Sequence, residues 1–344
     1  MEIPAAIRDV DHLEELLSEP SPAANGAIRS VEGDIVILGV AGKMGPTLAR
    51  MARRALDAAG LPGKVIGVSR FSSPAPQRAL EQYGVETIRC DLMDEDALAR
   101  LPDAANVIFM AGRKFGSTGD ESLTWAMNTH LPALVCRRYR TSRIAAFSTG
   151  NVYGLTSNGR GGSREDDVPA PVGEYAMSCL GRERMFEYFS RAHRTPVAIL
   201  RLNYATEMRY GVLVDLARRV RRGDSIDVTM GYFNVIWQAD ANAMALAALA
   251  HASSPPFIVN LAGPEELGVR AACTELARLL GVAVSFTGQE ARDALLSNGA
   301  RGWERLGAPR VDASRLLAWT ADWTRRGGES LDKPTHFESR SGRF

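Results

Sequence analysis

The sequence predicts an α/β fold, in which a doubly wound parallel sheet is followed by a smaller C-terminal α/β domain. The first observation is the stretch 34–59, which reads as a short apolar strand, a turn with three glycines and a helix. The second is that short apolar runs and helical stretches then alternate to about residue 200. Strands that alternate with helices in this way form parallel sheets covered by helices on both faces.

The composition is that of an ordinary globular protein and excludes several classes of function. The chain has 344 residues, of which 45% are hydrophobic and 24% charged, and its formal net charge is +1. Such a balanced charge gives no reason to expect nucleic acid or an anionic membrane as a partner. The length allows one large domain or two modest ones.

Cysteine and histidine usage indicates neither a disulfide framework nor a metal site. Four cysteines lie far apart without a CxxC pair, and five scattered histidines complete no metal-ligand spacing. We therefore expect reduced, buried thiols and no metal. No apolar run is long enough to span a membrane and no signal peptide opens the chain, so we expect a cytoplasmic protein.

Residues 1–33 precede the first strand and are expected to form a helical extension. Apolar residues on one helical face predict a helix that ends near Glu19 and Pro20. These residues are Ile7, Val10, Leu13, Leu16 and Leu17. We expect this helix to pack against the outside of the dinucleotide-binding domain, residues 34–200.

The turn after the first strand has the features of a dinucleotide site. Gly39 allows a sharp exit from the strand, Gly42 lets the backbone approach a pyrophosphate, and Gly45 lets the helix pack close to the sheet. Free N–H groups at the helix N-terminus face the anion, and Pro46 suits the first turn of that helix. A purely structural turn is the alternative, and the strand and helix on either side favour the dinucleotide.

The end of the second strand, 64–68, bears on which dinucleotide is bound. Ser69 and Arg70 stand where an acidic residue would hold the adenosine ribose of NAD. Their hydroxyl and cation suit a 2′-phosphate, which favours NADP. The alternative is a solvated Arg70 beside an NAD site that uses other contacts.

Four more strands are expected before the substrate-binding domain. They lie at 86–90, 106–110, 144–147 and 197–200, with helices at 121–139 and 175–193. The substrate-binding domain is expected at 201–330, with one strand, 257–261, returning to the main sheet. The polar tail, 331–344, is expected to be loosely ordered or to form a dimer contact.

A set of short motifs occurs in order along residues 34–325. They are Gly39-Val40-Ala41-Gly42-Lys43-Met44-Gly45, Asp91-Leu92, Ala111-Gly112, Asn128, Ser148-Thr149, Val152-Tyr153-Gly154, Tyr175 and Leu200-Arg201-Leu202-Asn203. In these motifs the chain resembles the extended short-chain dehydrogenase/reductases, the NAD-dependent epimerase/dehydratase group that includes UDP-galactose 4-epimerase. The resemblance implies a Rossmann-type fold and NAD or NADP as cofactor. With the pair at the end of the second strand, the expected cofactor-binding residues are Gly39, Gly42, Lys43, Met44, Gly45, Ser69, Arg70, Asp91, Leu92, Ala111, Gly112, Lys114, Asn128 and Tyr175.

The resemblance also implies catalytic residues. In this family a tyrosine is the general acid/base toward a substrate oxygen, and a Ser or Thr hydrogen-bonds the same oxygen. Tyr175 and Thr149 take those roles here. A lysine normally stands four residues after the tyrosine and lowers its pKa, but this chain has Cys179 there.

Three interpretations of Cys179 remain open. In the first, another cation replaces the lysine: Lys114, which has a counterpart in the epimerases, is the first candidate, and Arg182, on the helix face of Tyr175, is the second. In the second, the tyrosine is not ionised and the protein is a dinucleotide-binding regulatory or scaffold protein without turnover. In the third, Cys179 is a nucleophile, although a lone cysteine on a buried helix face is more often a packed apolar group.

The resemblance implies the substrate only by class. Thr149, Asn151 and Asn203 are the implied substrate-binding residues. Nucleotide-sugar enzymes of the family often hold the diphosphate with an arginine where this chain has Phe233, and the Gly-Pro expected after Asn203 is replaced by the stretch 204–207. We therefore expect an oxidoreductase or epimerase/dehydratase acting on a carbohydrate-like substrate: a sugar, a sugar acid or a nucleotide sugar.

A homodimer is the one assembly that the resemblance implies. Helices 121–139 and 175–193 would pair across the interface as a four-helix bundle. The apolar residues expected on its faces are Leu123, Met127, Leu134, Met185 and Phe189.

Overall fold

The computed structural model describes residues 3–343, and a seven-stranded parallel sheet lies at its centre. Its strands are β1 (Ile35–Leu38), β2 (Val65–Ser69), β3 (Glu86–Arg89), β4 (Asn106–Phe109), β5 (Arg143–Thr149), β6 (Val197–Leu202) and β7 (Phe257–Leu261). Their order across the sheet is β7-β6-β5-β4-β1-β2-β3. The order reverses between β1 and β4, and ligand crevices in such sheets form at that point. The predicted doubly wound α/β class is confirmed.

The strand β1 shows why the sheet is parallel and central. All four of its residues are buried, because helices cover both faces of the sheet. Its first residue, Ile35, lies opposite Val65 of β2 and Asn106 of β4. An apolar run without alternation therefore predicts the position of this strand as well as its existence.

Helices pack on both faces of the sheet and around the C-terminal part of the chain. They are α1 (Val10–Leu17), α2 (Pro22–Ser30), α3 (Gly45–Ala59), α4 (Pro74–Gln82), α5 (Glu95–Ala99), α6 (Glu121–Trp125), α7 (Leu131–Arg138), α8 (Gly173–His193), α9 (Val212–Arg222), α10 (Gln238–Ala248), α11 (Val269–Leu280), α12 (Ala300–Leu306) and α13 (Ala313–Arg325). The helix α10 is buried along its whole length, so it is a core element shared by the sheet and the C-terminal part.

Four two-stranded ladders complete the C-terminal part. They pair Ala205–Thr206 with Ile236–Trp237, Ile226–Asp227 with Phe286–Thr287, Tyr232–Phe233 with Leu267–Gly268, and Thr156–Ser157 with Asp293–Ala294. The strand β7 pairs in parallel with β6, which places the stretch 257–261 in the main sheet.

The N-terminal extension contains two helices, so the prediction of a single helix ending near Pro20 missed the second one. Ser21 caps α2 by accepting a hydrogen bond from the N–H of Ala24 at 3.1 Å, and Pro22 occupies the first turn. A proline there costs nothing, because that N–H has no partner within the helix. The Pro-Ser-Pro sequence thus starts a second helix as well as ending the first.

The same extension is fastened to the C-terminal helix α13. The Trp319 indole N–H donates to the carbonyl of Pro4 at 3.1 Å, and Arg326 donates to the carbonyls of Ile7 at 2.5 Å and Arg8 at 2.8 Å. Residues far apart along the chain are therefore joined at one edge of the molecule.

One segment of the predicted helix 121–139 is not an α-helix. Residues Ala126–His130 form a π-helical turn between α6 and α7. Asn128, an expected cofactor ligand, lies in that turn and is fully buried. Such turns occur often at functional sites.

Membrane-spanning, metal-binding and disulfide features are absent from the residues that the structure describes. Within residues 3–343 no helix is both long and apolar enough to cross a bilayer. The same residues contain no group of three or more His, Cys, Asp or Glu side chains that could hold a metal ion. All four cysteines are buried and unpaired.

Candidate active site

A cavity of about 340 Å³ lies at the carboxyl ends of the central strands. It brings together ten residues that the sequence singled out. They are Gly39, Gly42, Lys43, Met44, Gly112, Lys114, Thr149, Asn151, Tyr175 and Asn203. Arg182 and Thr335 also line it. The arginine was only a second candidate, and no sequence signal pointed to the threonine.

The glycine turn forms one wall of this cavity. Gly39 has a positive φ of 91°, and a Cβ there would lie 2.8 Å from the backbone nitrogen of Ala111. A Cβ on Gly45 would lie 2.1 Å from the carbonyl oxygen of Val40, so the helix–strand contact also requires glycine. At Gly42 the nearest atom would be 3.4 Å away, because its open side faces the cavity. No side chain caps the start of α3, which leaves its N–H groups for an anion. The turn therefore fits a dinucleotide diphosphate.

The expected adenine-side residues form a separate group beyond this cavity. Ser69 and the exposed Arg70 follow β2, and the exposed Asp91 with the buried Leu92 follows β3. The Asp91 carboxylate accepts from the N–H of Met93 at 3.0 Å. All of these lie at the same edge of the sheet as the cavity, since the strands are parallel.

Thr149 and Tyr175, the expected acid/base pair, lie beside Asn151, an expected substrate-binding residue. Thr149 ends β5, and its hydroxyl oxygen accepts from the backbone N–H of Asn151 at 3.2 Å and its side-chain amide at 2.9 Å. The Thr149 hydroxyl is also hydrogen-bonded to that of Tyr175. Because both Asn151 groups are donors, the threonine is oriented to give its own proton to Tyr175.

Cys179 is a buried neighbour of the tyrosine. Its side chain packs with Val152 and Tyr153, one helical turn after Tyr175. Burial raises the pKa of the thiol above its ordinary value. A neutral thiol in apolar surroundings is a poor nucleophile, which favours the packing interpretation.

The Tyr175 hydroxyl is held in its protonated form by its surroundings. Burial raises the pKa of Tyr175 above its ordinary value, and the adjacent Cys179 adds to that effect. Arg182 and the hydrogen bond from Thr149 act in the opposite direction and lower the pKa. Any acid/base function of this tyrosine therefore depends on a nearby cation.

Arg182 places such a cation in the floor of the cavity. Its guanidinium donates to the carbonyl of Phe147 at 2.8 Å and to the side-chain oxygen of Asn128 at 2.7 Å. Among residues 3–343 it forms no ion pair, although it is only 6% exposed. A Cβ on Gly112 would lie 2.3 Å from this guanidinium, so the glycine makes room for it.

Asn128 positions protein groups and has no hydrogen bond left for a cofactor. Its oxygen accepts from the N–H of Arg113 at 2.9 Å as well as from Arg182, and its nitrogen donates to the carbonyl of Arg113 at 2.8 Å and to the Ser178 hydroxyl at 3.0 Å. The expected contact of Asn128 with a cofactor therefore stays a prediction, and in this structure all of its hydrogen-bonding groups already have protein partners. The π-helical turn instead uses it to join the loop after β4 to α8.

Two lysines lie in the upper part of the cavity. Lys114 donates to the carbonyl of Thr335 at 3.1 Å, and its ammonium lies 5.9 Å from the centre of the Tyr175 ring. Burial lowers the pKa of Lys114 to about 8. The Lys43 ammonium lies 3.3 Å from the centre of the Tyr210 ring. Burial, followed by repulsion from Lys333 and Lys114, lowers the pKa of Lys43 to about 7.

Asn203 is held in the substrate side of the cavity. Its amide donates to the side-chain oxygen of Asn234 at 2.6 Å, and Asn234 donates in turn to the carbonyls of Gly263 at 3.1 Å and Ser297 at 2.7 Å. Both asparagines are buried. The Asn203 side chain is thus fixed in place by neighbours that bind no substrate themselves.

A second polar network lies directly behind the site. Glu183 accepts from Ser148 at 2.6 Å and from Arg201 at 2.8 Å, and the Arg201–Glu183 ion pair is almost fully buried. Arg201 also donates to the Tyr153 hydroxyl at 2.7 Å, and that hydroxyl donates to Asn260 at 2.8 Å. The network joins β5, β6, β7 and α8 below the floor of the cavity.

Comparisons with known proteins agree with this arrangement. The model of the NAD dependent epimerase/dehydratase family matches residues 35–262. No curated protein sequence matches the chain significantly. Among solved structures, UDP-glucuronic acid 4-epimerase from Bacillus cereus in complex with UDP-glucuronic acid and NAD superposes with a TM-score of 0.69 at 18% identity, covering 85% of this chain and 99% of its own. UDP-glucose 4-epimerase from Thermotoga maritima with UDP-glucose gives 0.69 at 18% identity, with 86% and 99% covered. At such low identity these structures show a shared fold.

Proposed function

Because the chain belongs to the NAD-dependent epimerase/dehydratase family, we propose that it is an NAD(P)-dependent enzyme that transfers hydride to and from a carbohydrate-like substrate. The observation that carries the proposal is the Thr149–Tyr175 pair, which faces the same cavity as the glycine turn. Hydride transfer at carbon requires a proton to leave or reach the attached oxygen, and this pair stands where that proton can move.

The cofactor site is built from the turn 39–45 and the start of α3. Gly42 gives the diphosphate close access to the backbone, and the uncapped N–H groups of α3 with Lys43 provide the positive potential. When bound, NAD(P) supplies a carbon that accepts and returns a hydride. The chain's own residues orient it toward Tyr175.

Proton transfer is assigned to Tyr175, with Thr149 as its hydrogen-bonding partner. Tyr175 takes the proton of the substrate hydroxyl during oxidation and returns it during reduction. Thr149, held by Asn151, turns its proton from Tyr175 to the same oxygen when substrate is bound. Asn203 and Asn151 bind the other hydroxyl groups of the substrate.

The charge of the missing lysine is supplied by two cations. Arg182 acts from the floor of the cavity, where its fixed charge favours the phenolate of Tyr175. Lys114 acts from the loop after β4, where its ammonium lies 5.9 Å from the centre of the Tyr175 ring. Cys179 then needs no role beyond packing.

The cofactor preference is assigned to Arg70, which supports NADP over NAD. The Arg70 side chain is exposed directly after β2, where a guanidinium would form a charge-assisted contact with a 2′-phosphate. A charge-assisted contact of this kind contributes about 1.5–3 kcal/mol. Arg70→Asp should therefore reverse the ratio of the two dissociation constants, and equal affinity of the unmodified protein for both cofactors would refute the assignment.

A homodimer through α6 and α8 completes the proposal. Exposed apolar and aromatic side chains on these helices, Leu123, Trp125, Met177 and Tyr188, support such an interface. Leu134 and Phe189, which were expected on the faces, are buried within the protomer and contribute nothing to it. Light scattering should give the mass of a dimer at micromolar concentration.

The central proposal is tested by cofactor binding and turnover together. Calorimetry should show binding of NADP or NAD, and Gly42→Leu should abolish it because the side chain fills the place of the diphosphate. Tyr175→Phe should keep cofactor affinity and lower turnover about a hundredfold or more. Tyr83→Phe, an exposed tyrosine outside the cavity and the proposed interface, is the control and should change neither. A protein that binds neither dinucleotide, or a Tyr175→Phe variant with full turnover, would overturn the proposal.

A further inference from the structure

The end of the described chain, residues 331–343, runs past the cavity, which it lines at Thr335, and is here termed the C-terminal strap. Thr335 anchors it to α9, since its N–H and hydroxyl both donate to the Asp215 carboxylate, at 2.8 and 2.6 Å. The carbonyl of the same residue accepts from Lys114, and its side chain lines the cavity. The expectation of a loosely ordered tail was therefore wrong for this segment.

The middle of the strap is held by an aromatic contact. Phe337 is 2% exposed, and its ring centre lies 5.8 Å from that of Phe233. Phe233 is itself fully buried, and the strap covers it. Position 233 therefore offers no cation to a substrate diphosphate, and the apolar pair of Phe233 and Phe337 occupies the space.

The far end of the strap packs against the backbone that leads into α8. A Cβ on Gly342 would lie 2.0 Å from the carbonyl oxygen of Val172, and a Cβ on Gly173 would lie 2.5 Å from the carbonyl oxygen of Gly342. Arg340 secures the same end through Asp293, at 2.5 Å from its carboxylate. The close contact requires glycine on both sides, at Gly342 and at Gly173. Gly173 stands two residues before Tyr175, so the strap docks next to the start of the active-site helix.

The cavity that remains under the strap is small. Its volume of about 340 Å³ lies near the lower end of the range of roughly 300–1,000 Å³ for small-molecule sites. The same space includes the glycine turn and the Thr149–Tyr175 pair, so it must also admit part of the cofactor. The polar groups that line it include the amides of Asn151 and Asn203, which suit hydroxyl groups, while the Lys114 ammonium is bonded to the strap at Thr335.

We propose that the C-terminal strap determines substrate specificity, by restricting the site to a carbohydrate without an attached nucleotide, such as a free sugar, polyol or sugar acid. The inference rests on the proposed function and narrows its substrate class. It also rests on residues 331–343, which lie outside the stretch that the family model matches. The family fold supplies the acid/base pair and the cofactor site, and the strap limits the size of the substrate that can reach them.

The test compares one sugar acid with and without its nucleotide. Calorimetry on the cofactor-saturated protein would use D-glucuronate and UDP-glucuronate as probes, for the intact chain and for Phe337→Ala. The intact chain should not bind UDP-glucuronate measurably, and Phe337→Ala should gain at least about tenfold in affinity for it. A second variant, Gly342→Val, opens the other end of the strap and should give the same gain if the first variant folds poorly. Arg343→Ala, an exposed position, is the control and should gain nothing.

Cofactor affinity separates the two proposals. Both strap variants should bind NAD(P) as the intact chain does, so loss of cofactor binding in all proteins would refute the proposed function and not the strap. A panel of free polyols and sugar acids should include one that reduces the cofactor with the intact chain, while no UDP-sugar does so. Tight binding or turnover of a UDP-sugar by the intact chain would overturn the strap proposal, as would strap variants that gain no affinity for UDP-glucuronate.

Discussion

Two buried arginines lie on opposite sides of the end of β5 and differ in what surrounds their charge. Arg201, on β6, pairs with the Glu183 carboxylate at 2.8 Å and bonds Tyr153. Arg182, on α8, bonds the carbonyl of Phe147 and the amide oxygen of Asn128 and has no ion pair within the described chain. The guanidinium of Arg201 is thus neutralised by a carboxylate, and that of Arg182 is not neutralised within the described chain.

Under the proposed function this difference separates a structural charge from one that acts on the acid/base tyrosine. Arg201 is paired with a carboxylate and bonded to Tyr153 inside the polar network, so it mainly fixes strands to helix. The guanidinium of Arg182, unpaired among the described residues, opposes the rise that burial causes in the pKa of Tyr175 and of Cys179. Arg182 and Glu183 are adjacent on α8. The first lines the cavity, and the second belongs to the polar network behind it.

The largest effect is expected from breaking the neutralised pair. Arg201→Met leaves Glu183 buried without its counterion, and such losses cost about 3–5 kcal/mol. The free energy of unfolding, measured by urea denaturation, should fall by that amount. Glu183→Gln should lower the free energy of unfolding by a similar amount. The double variant should lower it by less than the sum of the two single losses. A loss below about 1 kcal/mol in either single variant would contradict a structural role for the pair.

A smaller effect on stability and a larger one on turnover are expected from Arg182→Met. Removing this positive charge raises the pKa of Tyr175 further, so the rise of kcat/KM with pH should move to higher pH. At neutral pH turnover should fall about tenfold to a hundredfold. Arg182→Lys should recover part of the activity. Arg184→Met, an exposed arginine on the same helix, is the control, and an unchanged pH profile in Arg182→Met would remove the arginine from the mechanism.

Lys43, which lines the same cavity as Arg182, differs from it because its side chain can lose its charge near neutral pH. With the pKa of Lys43 lowered to about 7, a rising fraction of the ammonium becomes neutral above that pH. Affinity for the dinucleotide should therefore fall about tenfold between about pH 6 and about pH 8.5, with proton uptake on binding at neutral pH. Lys43→Met should abolish this pH dependence. Calorimetry in two buffers of different ionisation enthalpy would detect the proton, and its absence would contradict the prediction.

The smallest effect is expected from Cys179→Ala, which tests whether charge or thiol assists the tyrosine. The side chain is a buried apolar group, so its loss should lower the free energy of unfolding by about 1 kcal/mol. Turnover should stay within about twofold of the unmodified protein. If this variant alone lost turnover, the thiol would be a participant and Arg182 would not.

The sequence predicted the central fold well because the signals were local. The central strands were short apolar runs, and the glycine turn had its strand and helix beside it, so β1, α3 and their neighbours lie where they were expected. The helix α2 was missed because Pro20 and Pro22 indicate a stop, while Ser21 between them is a good cap.

The candidate site was predicted less completely, because its missing parts depend on long-range contacts. The spacing from Tyr175 put Arg182 on the correct helix face, but only the fold shows that it meets Asn128 and lacks a carboxylate. Similarly, no local pattern shows that Thr335 returns across the chain to Lys114. Lys114 itself stays a proposal, beside an arginine that lies deeper in the same cavity.

The hydrogen bonds between the N-terminal extension and α13 affect how the protein folds during synthesis. The carbonyls of Pro4, Ile7 and Arg8 meet Trp319 and Arg326, so these contacts have a very large sequence separation. They cannot form until residue 326 has left the ribosome, and contacts between such distant residues form slowly. Residues 4–8 are therefore among the last parts of the extension to dock, whereas α1 can pack earlier against α3, because Arg50 and Arg54 of that helix pair with Glu15.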